Sequence, residues 1–310
     1  MTYDDSNCLV VVDGNNLTQR SHYAFKDLRT TSDWESGALY GNLMALAGLL
    51  HELQPTHMIW CFDRGKSDFR TELLPTYKAH RIESKDRHIK YGGLEEEKSV
   101  GEILAPQYIA FEEFLGYRGI DTWGVKGWEA DDLIAAVTLK AKHDMPIYIV
   151  SGDSDMEQLV EHGPDCRVTI YKPNLPRGRD RFFGPDQVRE KYDVEPNQLS
   201  QLFALVGDKS DNIDGLRGVG PKTAAKWLQK YGDLPTVLDQ EPKVDPSDRS
   251  RVSTNFFLMD LSQPGIEYEK TISGLRIPDF AGWSGNHEMS EFLDRWEMHN
   301  ISLSDFRGVR

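Results

Sequence analysis

Aspartates follow three apolar segments of this sequence, and their repetition indicates a site for divalent cations. Each segment leads directly into the acid: Cys8–Val12 into Asp13, Met58–Phe62 into Asp63, and Ile147–Val150 into Ser-Gly-Asp-Ser-Asp, which contains Asp153 and Asp155. A single aspartate in such a place is commonly a helix N-cap, whereas three in the same context favour a shared role. Carboxylate oxygens suit Mg²⁺, and a pair of ions held in this way can hydrolyse phosphodiester bonds.

Two further acidic stretches add carboxylates to this set. Glu129, Asp131 and Asp132 occupy the first turn of a predicted helix, where acids also complement the helix dipole. In a regular helix Glu129 and Asp132 share a face, but this does not hold if Glu129 lies at or before the cap, so spacing leaves the metal-facing pair open. The loop with Asp208 and Asp211 is rich in Asp, Asn and Gly, a composition that is also typical of a simple turn.

The elements that must position these acids alternate between strand-like and helical patterns. The three apolar segments are continuous and rich in β-branched and aromatic residues, as in strands buried on both faces of a parallel sheet. Helical patterns lie between and after them, over Leu39–Leu53, Gln107–Leu115 and Glu129–His143. This order predicts an α/β fold with a doubly wound, mainly parallel sheet and flanking helices. The carboxyl ends of its strands share one edge, where ligands of such sheets bind.

A glycine-rich segment after the second acidic loop has the features of a phosphate-binding hairpin. Glycines let a phosphate approach backbone N–H groups, and the N-terminus of the following helix adds a favourable dipole. Its position just after Leu-Val-Gly-Asp matches a helix-hairpin-helix element, which grips duplex DNA without reading its sequence. The candidate contacts are Gly218, Gly220, Lys222, Thr223 and Lys226, with Lys222, Lys226 and Lys230 spaced to follow a DNA backbone.

Basic residues also follow the second predicted strand. We expect Arg70 and Tyr77 to contact DNA, and Lys78 and Arg81 to share a face toward the acidic edge if this segment is helical. There they would stabilise charge on the scissile phosphate, the alternative being a solvated helix face. Residues 82–106 are polar with mixed charge, which suits a strand-guiding element and a disordered loop equally well.

Composition does not exclude a nucleic-acid substrate. The net charge is −14, with 50 acidic and 36 basic residues, and acids gathered in a metal site account for part of the excess. The three cysteines, Cys8, Cys61 and Cys166, are expected to be reduced core thiols. The N-terminus lacks a signal-peptide pattern, and no apolar run approaches the roughly 18 residues that cross a bilayer. We therefore expect a soluble protein of the cytoplasm (the host cytoplasm if phage-encoded) with no membrane partner.

The motifs, taken in order, resemble those of the 5′ nuclease superfamily. This superfamily comprises flap endonucleases, bacteriophage 5′→3′ exonucleases and the 5′ nuclease domain at the N-terminus of bacterial DNA polymerase I. The matching motifs run from about Leu9 to Tyr231: Val-Asp-Gly-Asn-Asn, Phe-Asp-Arg, Phe-Arg with Tyr-Lys-Ala-His-Arg, Glu-Ala-Asp-Asp, Ser-Gly-Asp-Ser-Asp, Gly-Asp-Lys-Ser-Asp-Asn-Ile and Gly-Val-Gly-Pro-Lys-Thr-Ala. The length resembles that of the free-standing phage or bacterial enzymes.

The resemblance implies two Mg²⁺ ions, for which Mn²⁺ can substitute, and a role for each candidate residue. The implied ligands are Asp13, Asp63, Glu129 and Asp131 for the first ion and Asp153, Asp155 and Asp208 for the second, with Asp132 and Asp211 close by. Lys78 and Arg81 would contact the scissile phosphate, and the glycine hairpin would bind duplex DNA and also K⁺. Relatives often carry a base-stacking aromatic soon after the first aspartate, and here Tyr23 is a candidate only.

The implied function is 5′→3′ exonuclease and flap endonuclease activity on DNA, in replication or repair, with 5′-phosphate and 3′-hydroxyl products. The substrates would be branched or 5′-ended duplexes and 5′ single-stranded flaps, with RNA/DNA hybrids as a further class, and the enzyme would act as a monomer. The rival interpretations are a non-catalytic structure-specific DNA-binding protein and a PIN-type ribonuclease, which shares the acid-edged sheet but lacks the arch and glycine hairpin.

The expected division of the chain places a PIN-like catalytic domain in residues 1–185 and a mainly helical DNA-binding region in residues 186–310. The catalytic domain would carry a helical arch or clamp at residues 82–106. The second region would hold the helix-hairpin-helix at about residues 199–231. Beyond it no motif occurs, and residues 291–296 resemble a packing helix.

Overall fold

A mainly parallel β-sheet lies at the centre of the chain, as a computed structural model describes it for residues 7–79, 88–89, 98–164, 166–173, 175, 181–262 and 286–306. Its strands are β1 (Leu9–Asp13), β2 (His57–Cys61), β5 (Asp121–Trp123), β6 (Ile147–Val150), β7 (Glu161–His162), β8 (Arg167–Tyr171) and β9 (Phe182–Phe183). They are ordered β5-β2-β1-β6-β8-β7, and β9 also pairs with β8. All neighbours from β5 to β8 are parallel, whereas β7 and β9 run antiparallel to β8.

Helices cover both faces of this sheet and continue into the C-terminal half. They are α1 (Gly14–Ala24), α2 (Gly37–Leu53), α3 (Asp68–Leu73), α4 (Val100–Arg118), α5 (Ala130–Ala141), α6 (Pro185–Tyr192), α7 (Leu199–Val206), α8 (Pro221–Tyr231), α9 (Leu234–Gln240), α10 (Arg249–Met259) and α11 (Asn286–Arg295). Two short antiparallel pairs stand apart from the main sheet: β3 (His88–Ile89) with β4 (Lys98–Ser99), and β10 (Gly207–Asp208) with β11 (Ile213–Asp214). In the described part of the chain, no helix is long and apolar enough to cross a membrane.

Alternating side chains of β1 enter two different apolar layers. Val11 packs with residues of α5 and α7–α9, whereas Val10 and Val12 pack with residues of α2, α4 and α11. Since successive strand residues point to opposite faces, a strand covered on both faces must be apolar throughout. This confirms the prediction of a parallel sheet buried on both faces. The three cysteines are likewise free and buried.

Several boundaries differ from those predicted. The helix predicted over Gln107–Leu115 begins at Val100, because Ser99 and Glu102 form a capping box that starts it despite Pro106 in its second turn. Residues 100–106 of the predicted arch therefore belong to α4. His88–Ile89 and Lys98–Ser99 form the small strand pair, and the other residues of the predicted arch lie outside the described part of the chain.

The C-terminal segment returns to the sheet domain. Phe292 and Phe306 are fully buried, and both stack against Phe114 of α4 at centroid distances of 5.2 and 4.8 Å. The Arg118 side chain donates to the Phe306 carbonyl. The packing helix predicted at residues 291–296 is therefore confirmed, although it begins earlier, at Asn286.

Candidate active site

The first two aspartates stand at the carboxyl ends of neighbouring strands. Asp13 is 4% exposed, and its carboxylate accepts hydrogen bonds from the Asn16 N–H at 2.9 Å and the Ser151 hydroxyl at 2.8 Å. Asp63 follows β2 and accepts from the Ala130 N–H at 2.8 Å. Asp13 therefore links the end of β1 to the residue after β6, and Asp63 links the segment after β2 to the start of α5.

The acids at the start of α5 divide between two directions. Glu129 is the N-cap residue with extended backbone, and its own N–H donates to Asp132 Oδ2 at 3.0 Å. Glu129 and Asp132 both face the Arg70 guanidinium. Asp131 instead lies in the field of Asp13 and Asp153, whose negative charges raise its pKa after burial. Of the three acids, Asp131 is therefore the one that interacts with the strand-end aspartates Asp13 and Asp153, whereas Glu129 and Asp132 are paired with Arg70.

Arg70 and Tyr77 are buried beneath the site, which contradicts the prediction that they contact DNA. Arg70 is 3% exposed, and its guanidinium pairs with Asp132 at 2.7 Å and donates to the Leu258 carbonyl at 2.8 Å. The Tyr77 hydroxyl, in a side chain 4% exposed, donates to Glu129 at 3.0 Å. Aromatic and cationic side chains of this kind hold acids in place from within the protein.

Lys78 supplies positive charge among the carboxylates. Its ammonium lies 2.8 Å from Glu129 Oε1 and 3.7 Å from Asp211 Oδ2. Burial alone would lower the pKa of Lys78, but the charges of Glu129, Asp211 and Asp131 raise it overall, so the ammonium stays protonated. The pKa of Glu129 is lowered by the same ion pair. Burial alone would raise the pKa of Glu129, but the positive charges of Lys78 and Arg70 outweigh burial and lower it overall.

The backbone at Lys78 is not helical, in contrast to the assumption behind its predicted common face with Arg81. Helix α3 ends at Leu73, and Lys78 has a positive φ of 51°. This left-handed conformation is supported by the Asp211 loop, since the Lys78 N–H donates to the Asp211 carbonyl and the Asn212 side chain donates to the Thr76 carbonyl. Arg81 lies outside the described residues.

A second group of carboxylates faces the first. Asp153 and Asp155 follow β6, and Asp153 Oδ1 accepts from the Asp155 N–H at 3.0 Å. Asp208 lies in β10, while Asp211 is 7% exposed and turned toward Tyr77 and Lys78. The Ser151 hydroxyl joins the two groups, because it donates to Asp13 and accepts from the Asp153 N–H. Sequence reasoning assigned no role to Ser151, although its place between strand and aspartates was visible.

Crowding of like charge is the main electrostatic feature of this edge. Burial, with further repulsion from Asp63 and Asp153, raises the pKa of Asp13 to about 7. Burial and the charges of Asp153, Asp208 and Asp211 raise the pKa of Asp155 to about 7 as well. Hard oxygen donors with unfavourable mutual repulsion are a donor set that divalent cations such as Mg²⁺ fit.

The acids collect at this edge without forming a complete coordination shell. Among the described residues, no group of three or more His, Cys, Asp or Glu side chains is arranged so that it could hold a metal as it stands. Since Mg²⁺ keeps several of its waters, direct contact with only some of these carboxylates is needed.

The glycine segment forms the predicted hairpin between helices α7 and α8. Gly215 has no room for a side chain, because an added Cβ would lie 2.0 Å from the Val206 carbonyl oxygen. Gly218 has a φ of 76°, and Gly220 is the N-cap of α8. Lys222 and Lys226 are exposed on α8, Thr223 is half-buried, and the Lys230 ammonium bonds to Tyr231. Helix α8 thus offers two exposed cations beside the hairpin, whereas the Lys230 ammonium is bonded to Tyr231.

Tyr23, the candidate stacking residue, lies on the last turn of α1 and is 62% exposed. Its only described ring contact is an edge-on one with His22, at a centroid distance of 5.2 Å. Its side chain is therefore accessible, and its stacking role stays a prediction.

Comparison with known proteins matches residues 8–261 of the chain to two family models. Residues 8–193 match the 5′–3′ exonuclease N-terminal resolvase-like domain, and residues 194–261 match the 5′–3′ exonuclease C-terminal SAM fold. DNA polymerase I of Mycobacterium tuberculosis (strain H37Rv) is 36% identical over 234 residues, and that of Bacillus subtilis (strain 168) is 32% identical over 237. These alignments cover 74% and 76% of this chain but only 24% and 25% of the relatives' length.

Solved structures with the same fold bear out the architecture. The T5 D15 protein co-crystallised with metal ions superposes with a TM-score of 0.65 at 22% identity, covering 94% of this chain and 98% of that one. Human GEN1 in complex with Holliday junction DNA gives 0.51 at 14% identity, covering 94% and 68%. The resemblance drawn from the motifs is confirmed: the chain belongs to the 5′–3′ exonuclease family.

Proposed function

We propose that this chain is a structure-selective 5′ nuclease that uses two Mg²⁺ ions and acts both as a 5′→3′ exonuclease and as a flap endonuclease. The observation that carries the proposal is the convergence of two groups of carboxylates, with the Lys78 ammonium between them, on the carboxyl edge of the sheet. Carboxylates crowded together in this way favour the binding of cations. A pair of divalent cations bound there would catalyse the hydrolysis of a phosphodiester.

The contacts suggest which acids meet the ions directly. We assign Asp13, Asp63 and Asp131 to the first ion and Asp153, Asp155 and Asp208 to the second. Glu129, Asp132 and Asp211 are engaged by Lys78, Arg70 and Tyr77, so we assign to them the positioning of these donors instead of direct ligation. This narrows the larger ligand set expected from the sequence. When bound, such ions would supply activation of a water and stabilisation of negative charge on the leaving 3′ oxygen.

Lys78 contributes a charge that the acids alone cannot supply. Its raised pKa keeps the ammonium protonated at neutral pH, and its side chain, 13% exposed, already reaches the acidic edge. A phosphate oxygen that enters this edge offers the ammonium an alternative partner to Glu129, and the cation then stabilises negative charge as the bond breaks. Arg81 is proposed for the same task from its motif.

We propose that the hairpin between α7 and α8 binds duplex DNA. Lys222 and Lys226 lie one helical turn apart and are exposed, on the helix that begins directly after Gly218 and Gly220. We propose K⁺ as a further ligand of this hairpin. Branched DNA as the substrate is supported by solved structures of the same fold, namely a T5 D15 flap endonuclease complex with DNA and metal ions and human GEN1 in complex with Holliday junction DNA. RNA/DNA hybrids and a monomeric state complete the proposal.

The decisive experiment is digestion of 5′-labelled flap, nicked, blunt-ended and covalently circular DNA, with Mg²⁺ and then with EDTA. We expect cleavage of the flap and stepwise release from nicks and ends, products that DNA ligase can rejoin to a 3′-hydroxyl, no cutting of closed circles, and complete loss in EDTA. Mn²⁺ is expected to restore activity. Rapid cleavage of matched RNA without a 5′-end requirement would favour the PIN-type ribonuclease, and metal-independent inertness would favour the non-catalytic DNA binder.

A further inference from the structure

A buried glutamate lies directly beside the aspartates of the second group. Glu157 is 1% exposed, in the 3₁₀ turn Asp155–Leu159 that continues from Asp153. Its carboxylate is met by two ammonium groups, Lys172 Nζ at 2.7 Å and Lys191 Nζ at 2.9 Å. A carboxylate that has lost its hydration is tolerated inside a protein when it is paired and hydrogen-bonded in this way.

The two lysines come from different elements and share one aromatic support. Lys172 follows β8, Lys191 belongs to α6, and their ammonium groups lie 3.8 and 5.7 Å from the centroid of Phe183 in β9. Cations over an aromatic face are attracted to it, so the ring holds both lysines on the Glu157 side. The Glu157 carboxylate therefore links the residue after β8 and helix α6 to the turn that carries Asp155, and β9 packs against both lysines.

The next residue anchors the turn on its other side. The Gln158 amide donates to the Asp155 carbonyl at 2.9 Å and to the Met259 carbonyl at 3.1 Å, and its oxygen accepts from the Leu261 N–H at 2.9 Å. The turn is thus fastened to the sheet domain through Glu157 and to the end of α10 through Gln158.

The same cluster reaches the helix that leads into Asp208. Tyr192, next to Lys191 in α6, packs edge-on against Phe203 of α7 at a centroid distance of 5.7 Å. Helix α7 ends at Val206, two residues before Asp208. The Glu157 cluster is therefore in contact with both elements whose acids must be held together against their mutual repulsion.

We propose that Glu157 is a positioning residue that sets the divalent-cation affinity of the group formed by Asp153, Asp155 and Asp208. It does so by fixing Lys172 and Lys191, and through them the turn and α6, in the arrangement that brings these three acids together. This inference rests on the proposed two-metal function. It assigns to Glu157 no contact with the substrate or with an ion.

The test is a titration of the full chain with Mn²⁺ in the absence of DNA. Binding is measured from the electron paramagnetic resonance signal of the Mn²⁺ that stays free. Glu157→Gln keeps the shape of the side chain and removes its charge. Outer partners of metal ligands typically change affinity by about tenfold to a hundredfold. We therefore expect wild-type protein to bind Mn²⁺ at two sites and Glu157→Gln to lose about tenfold affinity or more at one of them. The matched control is Glu161→Gln in β7, which removes the exposed ion pair of Glu161 with Lys142. This variant should bind Mn²⁺ at both sites with unchanged affinity.

Each result decides the proposal. Unchanged Mn²⁺ affinity in folded Glu157→Gln overturns the positioning role and leaves the two-metal function standing, even if the variant melts at a lower temperature. Wild-type protein without Mn²⁺ binding overturns the proposed function itself. If Glu157→Gln does not fold by circular dichroism, Lys191→Met decides, because Lys172 still pairs with Glu157 there: a smaller loss of affinity at the same site supports the proposal, and no loss refutes it.

Discussion

Replacing Arg70 by methionine tests whether this cation holds the site from within or touches DNA from outside. The methionine roughly fills the space of the aliphatic stem and removes the charge. What remains is the Asp132 carboxylate, 2% exposed, without the guanidinium that approaches it to 2.7 Å, and the Leu258 carbonyl without its donor. The structure therefore predicts a loss of folding stability and no direct loss of DNA contact.

The magnitude follows from the burial of the pair. Removing one partner of a buried ion pair leaves the other charge uncompensated, which destabilises by about 3–5 kcal/mol. Arg64→Met is the matched control, because that guanidinium is 42% exposed in its pair with Glu112, and exposed pairs contribute about 0–1 kcal/mol. The double variant Arg70→Met with Asp132→Leu should recover most of the loss. It retains a deficit of about 1 kcal/mol, because Asp132 also caps α5.

The assay is urea unfolding of the wild type, Arg70→Met, Arg64→Met and the double variant. Duplex binding is measured in EDTA without urea, at a temperature at which each variant is folded. Arg70→Met is expected to be the least stable of the set while binding DNA with wild-type affinity. The reasoning would be refuted if Arg70→Met unfolded within about 1 kcal/mol of wild type and bound duplex much more weakly, since an exposed DNA contact would then be its role.

The remaining predictions concern the edge of the sheet and the hairpin. Asp153→Asn should abolish cleavage in single-turnover reactions while duplex binding in EDTA stays largely intact, because we assign this residue to the metal site and not to a DNA contact. Lys78→Ala should lower the single-turnover rate more than it raises the dissociation constant of the substrate, because its cation acts on charge that develops at the phosphate. The gain in melting temperature on adding Mg²⁺ should increase from about pH 6 to about pH 8, because burial raises the pKa of Asp13 and Asp155 to about 7 and both must lose protons before they hold a cation. Lys222→Ala should weaken duplex binding and reduce the slope of log affinity against log salt by about 1, with the saturated cleavage rate unchanged.

The controls for these variants come from the same chain. Asp144→Asn removes an exposed acid just before β6 and should leave cleavage unchanged. In EDTA the pH trend should reverse, because a buried carboxyl with a raised pKa contributes stability below about pH 4 that is lost as pH rises through about 7. A flat Mg²⁺ effect across this range, or an Asp153→Asn enzyme with normal turnover, would remove the acidic edge from the mechanism. A Lys78→Ala enzyme impaired only in affinity would assign that residue to binding.

Much of the architecture was predictable because strand burial leaves a local signature. A strand covered on both faces must be apolar at every position, so β1, β2 and β6 and the aspartates after them are visible from composition alone. The hairpin was equally predictable, because it needs glycines. Gly215 has no room for a Cβ, and Gly218 has a positive φ that other residues rarely adopt. Helix α1 and strands β5 and β8 were not predicted, because they are short or polar on one side and depend on neighbours already in place.

The roles of charged residues could not be predicted in the same way. Arg70 follows a strand in a basic segment, as a DNA contact would, and only its burial against Asp132 shows that it serves the interior. Lys78 has a left-handed backbone because the Asp211 loop, more than a hundred residues later, bonds to it. Such contacts between distant segments leave no periodic pattern in the sequence.

The sequence by itself therefore determined the parallel sheet, the edge at which its acids collect and the family to which their order belongs, because buried strands and the helices between them leave patterns that are visible along the chain. Only the tertiary structure shows that Glu129 and Asp132 pair with Arg70 while Asp131 interacts with the strand-end aspartates, and that Glu157 lies in a buried ion cluster in the turn that carries Asp155. The physical reason is that a carboxylate's role depends on which cation, donor or like charge lies within a few ångströms, and those neighbours come from elements far apart in the chain.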